Sequence, residues 1–331
     1  MKVHAVGRVR QLEDRNSLAM QHRTRAVRRD KRNPSEKWIR PPEIPRLTSP
    51  PVPFSDPSAA TSPPEEAVSL RWWLRAPWDY VMMALGLLYW AIFGGLLTVI
   101  GGPLHLILPR RLGERLGRFL VHHLFRKFVT YLRLADLVKS DLTGLDRLKE
   151  LNCPFIVAPN HTSLWDVVFI IARLPSAVCV MKKSILMNPL LGGGARLAGY
   201  IANDRMTRMI RDASKSLAAG GQLLLFPEGT RTSPDACWIN PLKGGCSIIA
   251  SRCQVPIYPI FIRSNTRFLQ KGWPLWRRPI FPITIRFELG EPLVPSPDET
   301  SQAITARLAE VFEAELSKPD LLRRQVTPEA G

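Results

Sequence analysis

A histidine and a carboxylate five positions apart, His161 and Asp166, lie in the stretch Asn160-His-Thr-Ser-Leu-Trp-Asp166. An imidazole that a carboxylate orients can take a proton from a hydroxyl group. Farther along the chain, Phe226-Pro-Glu-Gly-Thr-Arg231 offers an acid, a glycine and an arginine that could hold a phosphate-bearing substrate. The two stretches together favour acyl transfer to an alcohol as the chemistry.

Short apolar runs that alternate with helical stretches surround both motifs, which predicts an α/β domain with a central, mostly buried sheet flanked by helices. The predicted strands are residues 154–158, 177–181, 222–226 and 257–262, with 280–289 as a further candidate. The predicted helices are residues 166–173, 189–197, 206–219 and 244–252. His161 then follows a strand at a strand-to-helix turn, where functional groups of open α/β sheets cluster. Thr162 or Ser163 is expected to cap the helix that contains Asp166.

The composition of the chain indicates an anionic partner. The 331 residues carry a net charge of +18, which nucleic acid, an anionic membrane or a phosphorylated metabolite could equally attract. Nucleic acid is not expected, because the folded part has no binding module and no basic stripe interleaved with aromatics. The basic residues flank an apolar segment, which favours an anionic membrane surface.

The five cysteines predict neither a metal site nor a disulfide framework. Their number is odd, they form no C-x-x-C pair, and no histidine shares a ligand spacing with them. Reduced thiols in the cytosol are the expected state.

An uncharged run from Tyr80 to Leu108 predicts membrane association. As one straight helix its 29 residues would reach about 43 Å, more than the hydrocarbon thickness of about 30 Å. Gly94-Gly95, Gly101-Gly102 and Pro103 leave two arrangements open, a single tilted span or a bent pair of helices that enters and leaves by the same leaflet. Arginines flank the run and are denser after it, so the positive-inside rule places the following domain in the cytoplasm.

Four regions follow from these patterns. Residues 1–66 are expected to be a disordered, basic and proline-rich tail, and residues 67–138 a membrane-associated helical segment. Within that segment, residues 112–137 show the spacing of an amphipathic helix. Residues 139–318 form the predicted catalytic domain, and residues 319–331 a C-terminal tail.

Four blocks in order resemble those of the PlsC-type glycerolipid acyltransferases, the family of 1-acylglycerol-3-phosphate acyltransferases. Residues 160–166 fit its N-H-x-S-x-x-D pattern, residues 226–231 match F-P-E-G-T-R letter for letter, and residues 255–259 match V-P-I-x-P. The remaining block, residues 182–205, is looser, with Ser184 where the family often has glutamate and Ala202-Asn203 in place of Phe-Ile. Because that block is thought to shape the acceptor site, the resemblance supports the reaction type better than the acceptor.

The resemblance implies a glycerol-3-phosphate acyltransferase-like fold and transfer of a fatty acyl group to the hydroxyl of a lysophospholipid. The acyl donor would be acyl-CoA or an acyl-ACP thioester, with acyl carrier protein as a possible partner, and no cofactor or metal is expected. His161 would be the general base and Asp166 would orient it. The residues expected at the substrate are Lys183, Arg205, Glu228, Gly229 and Arg231, with Lys243 as a weaker candidate.

Two alternatives remain open at this point. The acceptor could be 1-acylglycerol-3-phosphate or another lysolipid such as a lyso-ornithine lipid, in which case the phosphate roles of Arg205 and Arg231 would fail. The chain could also be a non-catalytic membrane-docking protein, which the intact pair of His161 and Asp166 disfavours.

Overall fold

The computed structural model of the protein describes residues 65–151 and 153–320, with side chains from residue 73 onward. Apart from their inner ends, the tails predicted at residues 1–66 and 319–331 lie outside the described residues.

The apolar run forms one continuous helix. It consists of α1 (Glu65–Tyr89), a π-helical turn (Trp90–Gly94) and α2 (Gly95–Ile107). The glycines and Pro103 do not break it. At Gly94 an added Cβ would lie 2.7 Å from the carbonyl oxygen of Leu190, so this glycine serves close packing rather than a bend.

Helix α3 (Arg110–Leu134) runs back along α1 after the turn at Pro109. The hydroxyl of Tyr131 donates to the carbonyl oxygen of Met82 at 2.5 Å, and the hydroxyl of Tyr89 donates to that of Leu124 at 2.8 Å. The predicted amphipathic helix at 112–137 therefore exists, two residues longer at its start and three shorter at its end.

The α/β domain follows. Its first half comprises β1 (Val138–Asp141), α4 (Thr143–Asp146), a 3-10 turn (Arg147–Glu150), β2 (Phe155–Pro159), α5 (Asp166–Ile171), β3 (Ala177–Met181), α6 (Lys183–Leu186) and α7 (Gly192–Leu197). Its second half comprises β4 (Ile201–Ala202), α8 (Met206–Ala218), β5 (Gln222–Leu224), α9 (Gly245–Cys253), β6 (Ile257–Ser264), β7 (Ile283–Leu289) and α10 (Ser301–Leu316).

Among the described residues, seven strands form one sheet in the order β1-β7-β6-β2-β5-β3-β4. Neighbouring strands are parallel except β6 and β7. Strand β2 lies at the centre and is buried along its whole length, as expected for a strand that helices cover on both faces. The predicted α/β fold with a central sheet and a preceding apolar helical segment is confirmed.

Candidate active site

The sheet topology brings the two motifs to one edge. Strands β6, β2, β5 and β3 are parallel neighbours, so their carboxyl ends meet at the same side of the sheet. The turn that carries His161 follows β2, and the segment 226–231 follows β5. The segment after β6 and Lys182 after β3 reach the same edge.

His161 and Asp166 form the pair that their spacing predicts. The Nδ1 atom of His161 lies 3.0 Å from Oδ2 of Asp166. The carboxylate is fully buried, whereas 18% of the histidine side chain is exposed. Since the carboxylate accepts the Nδ1 proton, Nε2 is the nitrogen left to take a proton.

The carboxylate of Asp166 is itself fixed by the turn that precedes it. Its Oδ2 accepts from the backbone N–H of Ser163 at 2.7 Å, and its Oδ1 accepts from the hydroxyl of Thr162 at 3.2 Å. A side chain in the first helical turn that reaches back to a backbone N–H resembles a capping box. The predicted cap by Thr162 or Ser163 is wrong, because the cap position is Trp165 and neither hydroxyl caps it.

Glu228 ties the two motifs together from beneath the surface. Only 1% of it is exposed. Its carboxylate accepts from the backbone N–H of His161 at 2.9 Å, from the backbone N–H of Asn240 at 2.8 Å and twice from the Thr232 hydroxyl at 2.8 and 3.0 Å. Burial raises the pKa of Glu228, and these hydrogen bonds oppose the shift. The hydrogen-bond donors to this carboxylate thus all come from the protein. The predicted contact of Glu228 with substrate stays a prediction.

Three neighbours that carried no predicted role also position His161. The buried side chain of Asn160 accepts from the backbone N–H of Ile262 at 2.7 Å and donates to the carbonyl oxygen of Ile262 at 3.1 Å. The ring of Phe226 stacks on the imidazole with centroids 4.0 Å apart. The backbone N–H of Thr232 donates to the carbonyl oxygen of His161 at 2.6 Å. Asn160 and Phe226 are the first residues of the two motifs, and this position in the motifs is the feature of the sequence that could have indicated their roles.

A cavity of about 730 Å³ extends from His161 to the apolar helix. On its far side α1, the π-helical turn and α2 contribute residues at helical spacing, Met82, Gly86, Trp90, Gly94 and Leu97. The wall near His161 is polar and the wall along the helix is apolar. An amphipathic ligand with one charged end fits this distribution.

The polar end of the cavity is cationic. Its described lining includes Lys182, Arg231, Lys243 and Lys271 and no Asp or Glu. Gly229 has φ +67°, and a Cβ there would lie 2.9 Å from Nζ of Lys243, so this glycine lets the ammonium group lie against the backbone. Ammonium and guanidinium groups without carboxylates among them favour a phosphate ligand.

Arg231 is held by the segment after β6. Its Nη1 donates to the carbonyl oxygens of Leu269 at 2.7 Å and Gln270 at 2.9 Å. Burial lowers its pKa and the carboxylate of Asp166 opposes that shift, while the guanidinium keeps its charge at neutral pH.

Besides the buried Glu228, two predicted substrate residues lie outside the described cavity lining. Lys183 is 65% exposed and lies 3.7 Å from the carboxylate of Asp204, while the preceding Lys182 lines the cavity. Arg205 is exposed at the start of α8. Their contact with substrate stays a prediction.

Comparison with known proteins agrees with this site. A family model described as Acyltransferase matches residues 139–263, which contain His161, Asp166 and residues 226–231. Over these residues the chain is similar to the acyltransferase family. The match starts at β1 and ends within β6, so it covers the parallel part of the sheet that carries the site.

Named 1-acyl-sn-glycerol-3-phosphate acyltransferases are similar to the chain over the same region. The chain is 25% identical over 251 residues to a 1-acyl-sn-glycerol-3-phosphate acyltransferase of Pseudomonas aeruginosa, covering 74% of this chain and 90% of that protein. It is also 25% identical over 181 residues to a chloroplastic 1-acyl-sn-glycerol-3-phosphate acyltransferase of Brassica napus, covering 53% of this chain and 50% of that protein. The chain thus spans about half the length of the Brassica relative.

A solved structure has the same fold. The crystal structure of the 1-acyl-sn-glycerophosphate acyltransferase PlsC from Thermotoga maritima superposes with a TM-score of 0.51 at 20% sequence identity. The superposition covers 75% of this chain and 96% of the other.

The apolar helix is also long enough for a membrane. Among the described residues, one helix, Trp73–Ile107, could cross a bilayer by length and composition, with a mean hydropathy of 2.0 and 11% of its most apolar stretch buried. Together with the similarity to acyltransferases, this helix indicates membrane association.

Proposed function

We propose that the protein transfers a fatty acyl group from acyl-CoA or acyl-ACP to the free hydroxyl of 1-acylglycerol-3-phosphate, which yields phosphatidic acid. The observation that carries the proposal is the position of His161. Its Nδ1 is engaged by Asp166 at 3.0 Å, and its ring lies in the wall of a cavity that is cationic at this end and apolar at the other. A lysophospholipid has the matching phosphate, hydroxyl and acyl chain.

In the proposed reaction Nε2 of His161 takes the proton of the acceptor hydroxyl. The hydroxyl oxygen attacks the thioester carbonyl carbon, the new C–O bond forms, the C–S bond breaks, and the imidazolium returns the proton to the leaving thiolate. Asp166 orients the ring and stabilises its positive charge, as in other carboxylate–histidine pairs.

Direct transfer needs no enzyme nucleophile. The cysteine in the described cavity lining, Cys179, is fully buried, and burial raises the pKa of its thiol to about 12. Such a thiol stays protonated at neutral pH and is a poor nucleophile. The thioester is already activated, so proton removal and positioning supply the chemistry.

The cations of the cavity are the proposed phosphate ligands. Arg231, Lys182 and Lys243 line the same cavity as His161. The fixed guanidinium of Arg231 suits bidentate contact with phosphate oxygens, while the two ammonium groups act as movable charges. The apolar wall along α1 and α2 would then receive an acyl chain.

We further propose that α1 and α2 lie in one leaflet, along the acyltransferase domain, rather than across the bilayer. Near one end Asp79 binds Arg278 of the domain at 2.7 Å. Near the other, a Cβ added at Gly101 would lie 3.1 Å from the carbonyl oxygen of Gly193. The intervening residues span about 33 Å, so a helix perpendicular to the membrane would draw the adjoining surface of the domain into the hydrocarbon layer.

This orientation has a direct test. A cysteine placed at Arg111, after the turn that ends α2, should react with an impermeant reagent from the same side as Cys237, which is exposed on the domain. Labelling of the two from opposite sides of sealed vesicles would instead establish a crossing helix.

The activity is tested with the purified full chain in phospholipid vesicles. Wild type and His161→Ala are compared with lysophosphatidate and either acyl-CoA or acyl-ACP, and a loss of about 10²–10⁴-fold in kcat is expected for a missing general base. His123→Ala is the matched control, because that histidine is on α3, outside the lining of this cavity. Equal rates for wild type and His161→Ala would refute the mechanism, and activity with lyso-ornithine lipid alone would refute the phosphate acceptor.

A further inference from the structure

The segment between β6 and β7 combines exposed apolar side chains with positive charge. Residues 267–281, called here the 267–281 loop, contain four Lys or Arg and no Asp or Glu. Leu275, Trp276 and Ile280 are 52%, 79% and 50% exposed. Single exposed apolar residues are common on protein surfaces, but several together mark an interaction site.

The base of the 267–281 loop is packed against the domain, and this packing holds the exposed tip in place. Phe268 is buried and contacts the rings of Trp165, Trp273 and Phe281, with centroids 5.1 to 6.2 Å apart. The indole N–H of Trp273 donates to the carbonyl oxygen of Arg277 at 3.0 Å.

A buried ion pair holds the loop beside the start of the apolar helix. Nη1 of Arg278 lies 2.7 Å from Oδ2 of Asp79, and each side chain is 1% exposed. Nε of Arg75 binds the other oxygen of Asp79 at 2.9 Å. The guanidinium of Arg278 also lies 5.8 Å from the ring centroid of Tyr80, the first residue of the uncharged run. The exposed tip is therefore continuous with the surface that the helix presents to a bilayer.

The loop also borders the mouth of the catalytic cavity. Leu275 and Leu87 both line the cavity while 52% and 54% exposed, so they stand at its rim on the loop side and the helix side. Leu164, beside the catalytic turn, is 44% exposed at the same cavity. A rim of exposed leucines suits an opening toward lipid rather than toward water.

We propose that the 267–281 loop inserts Trp276, Leu275 and Ile280 into the interfacial layer of an anionic bilayer, where it forms the lip through which lipid enters the cavity. An indole ring is suited to the interface because it has an apolar body and a polar N–H. Arg267 and Lys271 are exposed on the same loop, and anionic headgroups would attract each of them by about 1 kcal/mol. Because carbonyl groups of this loop bind Arg231, contact with the bilayer also fixes that side chain at the site.

Insertion is tested by an environment-sensitive fluorophore on a cysteine at position 276. For this test the full chain is changed to serine at Cys153, Cys237 and Cys253, because the structure leaves these cysteines at least partly exposed. Val294 is the matched control position, because it is 42% exposed and follows Leu293, which pairs with Ile257 at the opposite end of β6. In vesicles of phosphatidylcholine and phosphatidylglycerol with brominated acyl chains, a label at 276 should shift to the blue and be quenched, and a label at 294 should not. Equal, water-like emission at both positions would overturn the proposal.

A second measurement connects the loop to lipid entry and rests on the proposed function. Trp276→Ser/Ile280→Ser, neither residue lining the cavity, is compared with Val294→Ser. The KM for acceptor embedded in vesicles should rise about tenfold, as expected from lost apolar burial, while kcat with a short-chain, water-soluble acceptor stays at the wild-type value. An unchanged KM would overturn the entry role. If no variant and not even wild type acylated either acceptor, the proposed function would fail while the labelling result would still decide insertion.

Discussion

The catalytic turn and the apolar helix face each other across one cavity, but opposite kinds of interaction hold them in place. The turn around His161 is fixed by directional hydrogen bonds of 2.6 to 3.2 Å to Asp166, Glu228 and Thr232. Beyond the ion pair and the tyrosine hydrogen bonds of α1, the part of the helix along α7 is fixed by close approach of backbones at glycines, as where Gly94 meets Leu190 and Gly193 meets Thr98. One wall depends on the chemical identity of its side chains and the other on their absence.

This difference predicts different responses to mutation. An isosteric change in the turn leaves its shape intact but alters donors and acceptors, so activity should fall while folding is retained. A small steric change at the helix leaves the chemistry intact but moves the wall of the cavity, so stability and substrate binding should fall together.

The largest effect is expected for Asp166→Asn. An amide has one accepting oxygen, whereas the carboxylate accepts from His161, Ser163 and Thr162, so the imidazole loses its fixed tautomer. We expect kcat to fall about 10²–10⁴-fold while the protein still folds, with the loss of about 1–3 kcal/mol in unfolding free energy that a removed buried acceptor brings. Asp212→Asn, in a surface pair with arginines, is the control and should change kcat little. A kcat for Asp166→Asn near that of wild type would remove the carboxylate from the mechanism.

The next effect is expected at the helix wall, for Gly193→Ala. A Cβ there would lie 2.4 Å from Cα of Thr98, a backbone atom that cannot move without its helix. We expect a loss of about 1–3 kcal/mol in unfolding free energy and a higher KM, measured in the same detergent or vesicles. Gly102→Ala is the matched control, since nothing lies within 4 Å of that Cβ. If both variants behaved alike, close packing would not hold this wall.

Glu228→Gln tests the hydrogen bonds by which Glu228 holds the catalytic turn. An amide cannot accept from His161, Thr232 and Asn240 together, so we expect a loss of about 1–3 kcal/mol. The pKa of Glu228 is raised by burial, so the folded state holds that proton to higher pH than the unfolded chain. The stabilisation of the folded state by this bound proton is therefore fully present below the ordinary glutamate pKa. It is lost as the pH rises through the raised pKa.

The measurement for Glu228→Gln is a pair of unfolding curves across the acidic range. The stability of wild type relative to the variant should decrease as the pH rises through the raised pKa. A difference that stayed constant with pH would mean that Glu228 has the same pKa in the folded and unfolded states.

The parts of the fold that the sequence predicted are those with a strong apolar signal. Strands β2, β3, β5, β6 and β7 are continuous or alternating apolar runs because helices or neighbouring strands bury them. The edge strands were missed: β1 reads Val-Lys-Ser-Asp and β4 has two residues, too little for periodicity to detect. Helix α10 was not predicted either, although Ile304, Leu308, Phe312 and Leu316 recur at helical spacing and are buried.

The sequence predicted the parts of the site that depend on residue type and spacing, and it did not predict the parts that depend on where a side chain points. His161 and Asp166 meet because a turn of fixed length joins β2 to α5. Which of two adjacent lysines enters the cavity depends on where β3 ends and α6 begins. Lys182 precedes the helix in an extended conformation and Lys183 is its first residue. The glycine contacts between α2 and α7 join segments that are far apart in the chain, so no local sequence pattern predicts them.

The smallest effect concerns the shape of the apolar wall, tested by Gly86→Leu. Gly86 lines the cavity, and its added Cβ would make ordinary contacts of 3.7 Å with the rings of Phe128 and Tyr131. The helix should therefore keep its place while the longer side chain fills space that an acyl chain would use. Each methylene that loses its site costs about 0.8 kcal/mol, so the preference among acyl chains should move several-fold toward shorter ones.

Competition between acyl donors of different length, with Gly102→Leu as the control outside the cavity lining, measures this shift. A changed preference with an unchanged kcat for the best substrate would show that the helix wall sets the fit of the chain and the turn sets the rate. If Gly86→Leu lowered kcat equally for every chain length, the two walls would be coupled, and the packing of α1 would have to be counted among the forces that position His161.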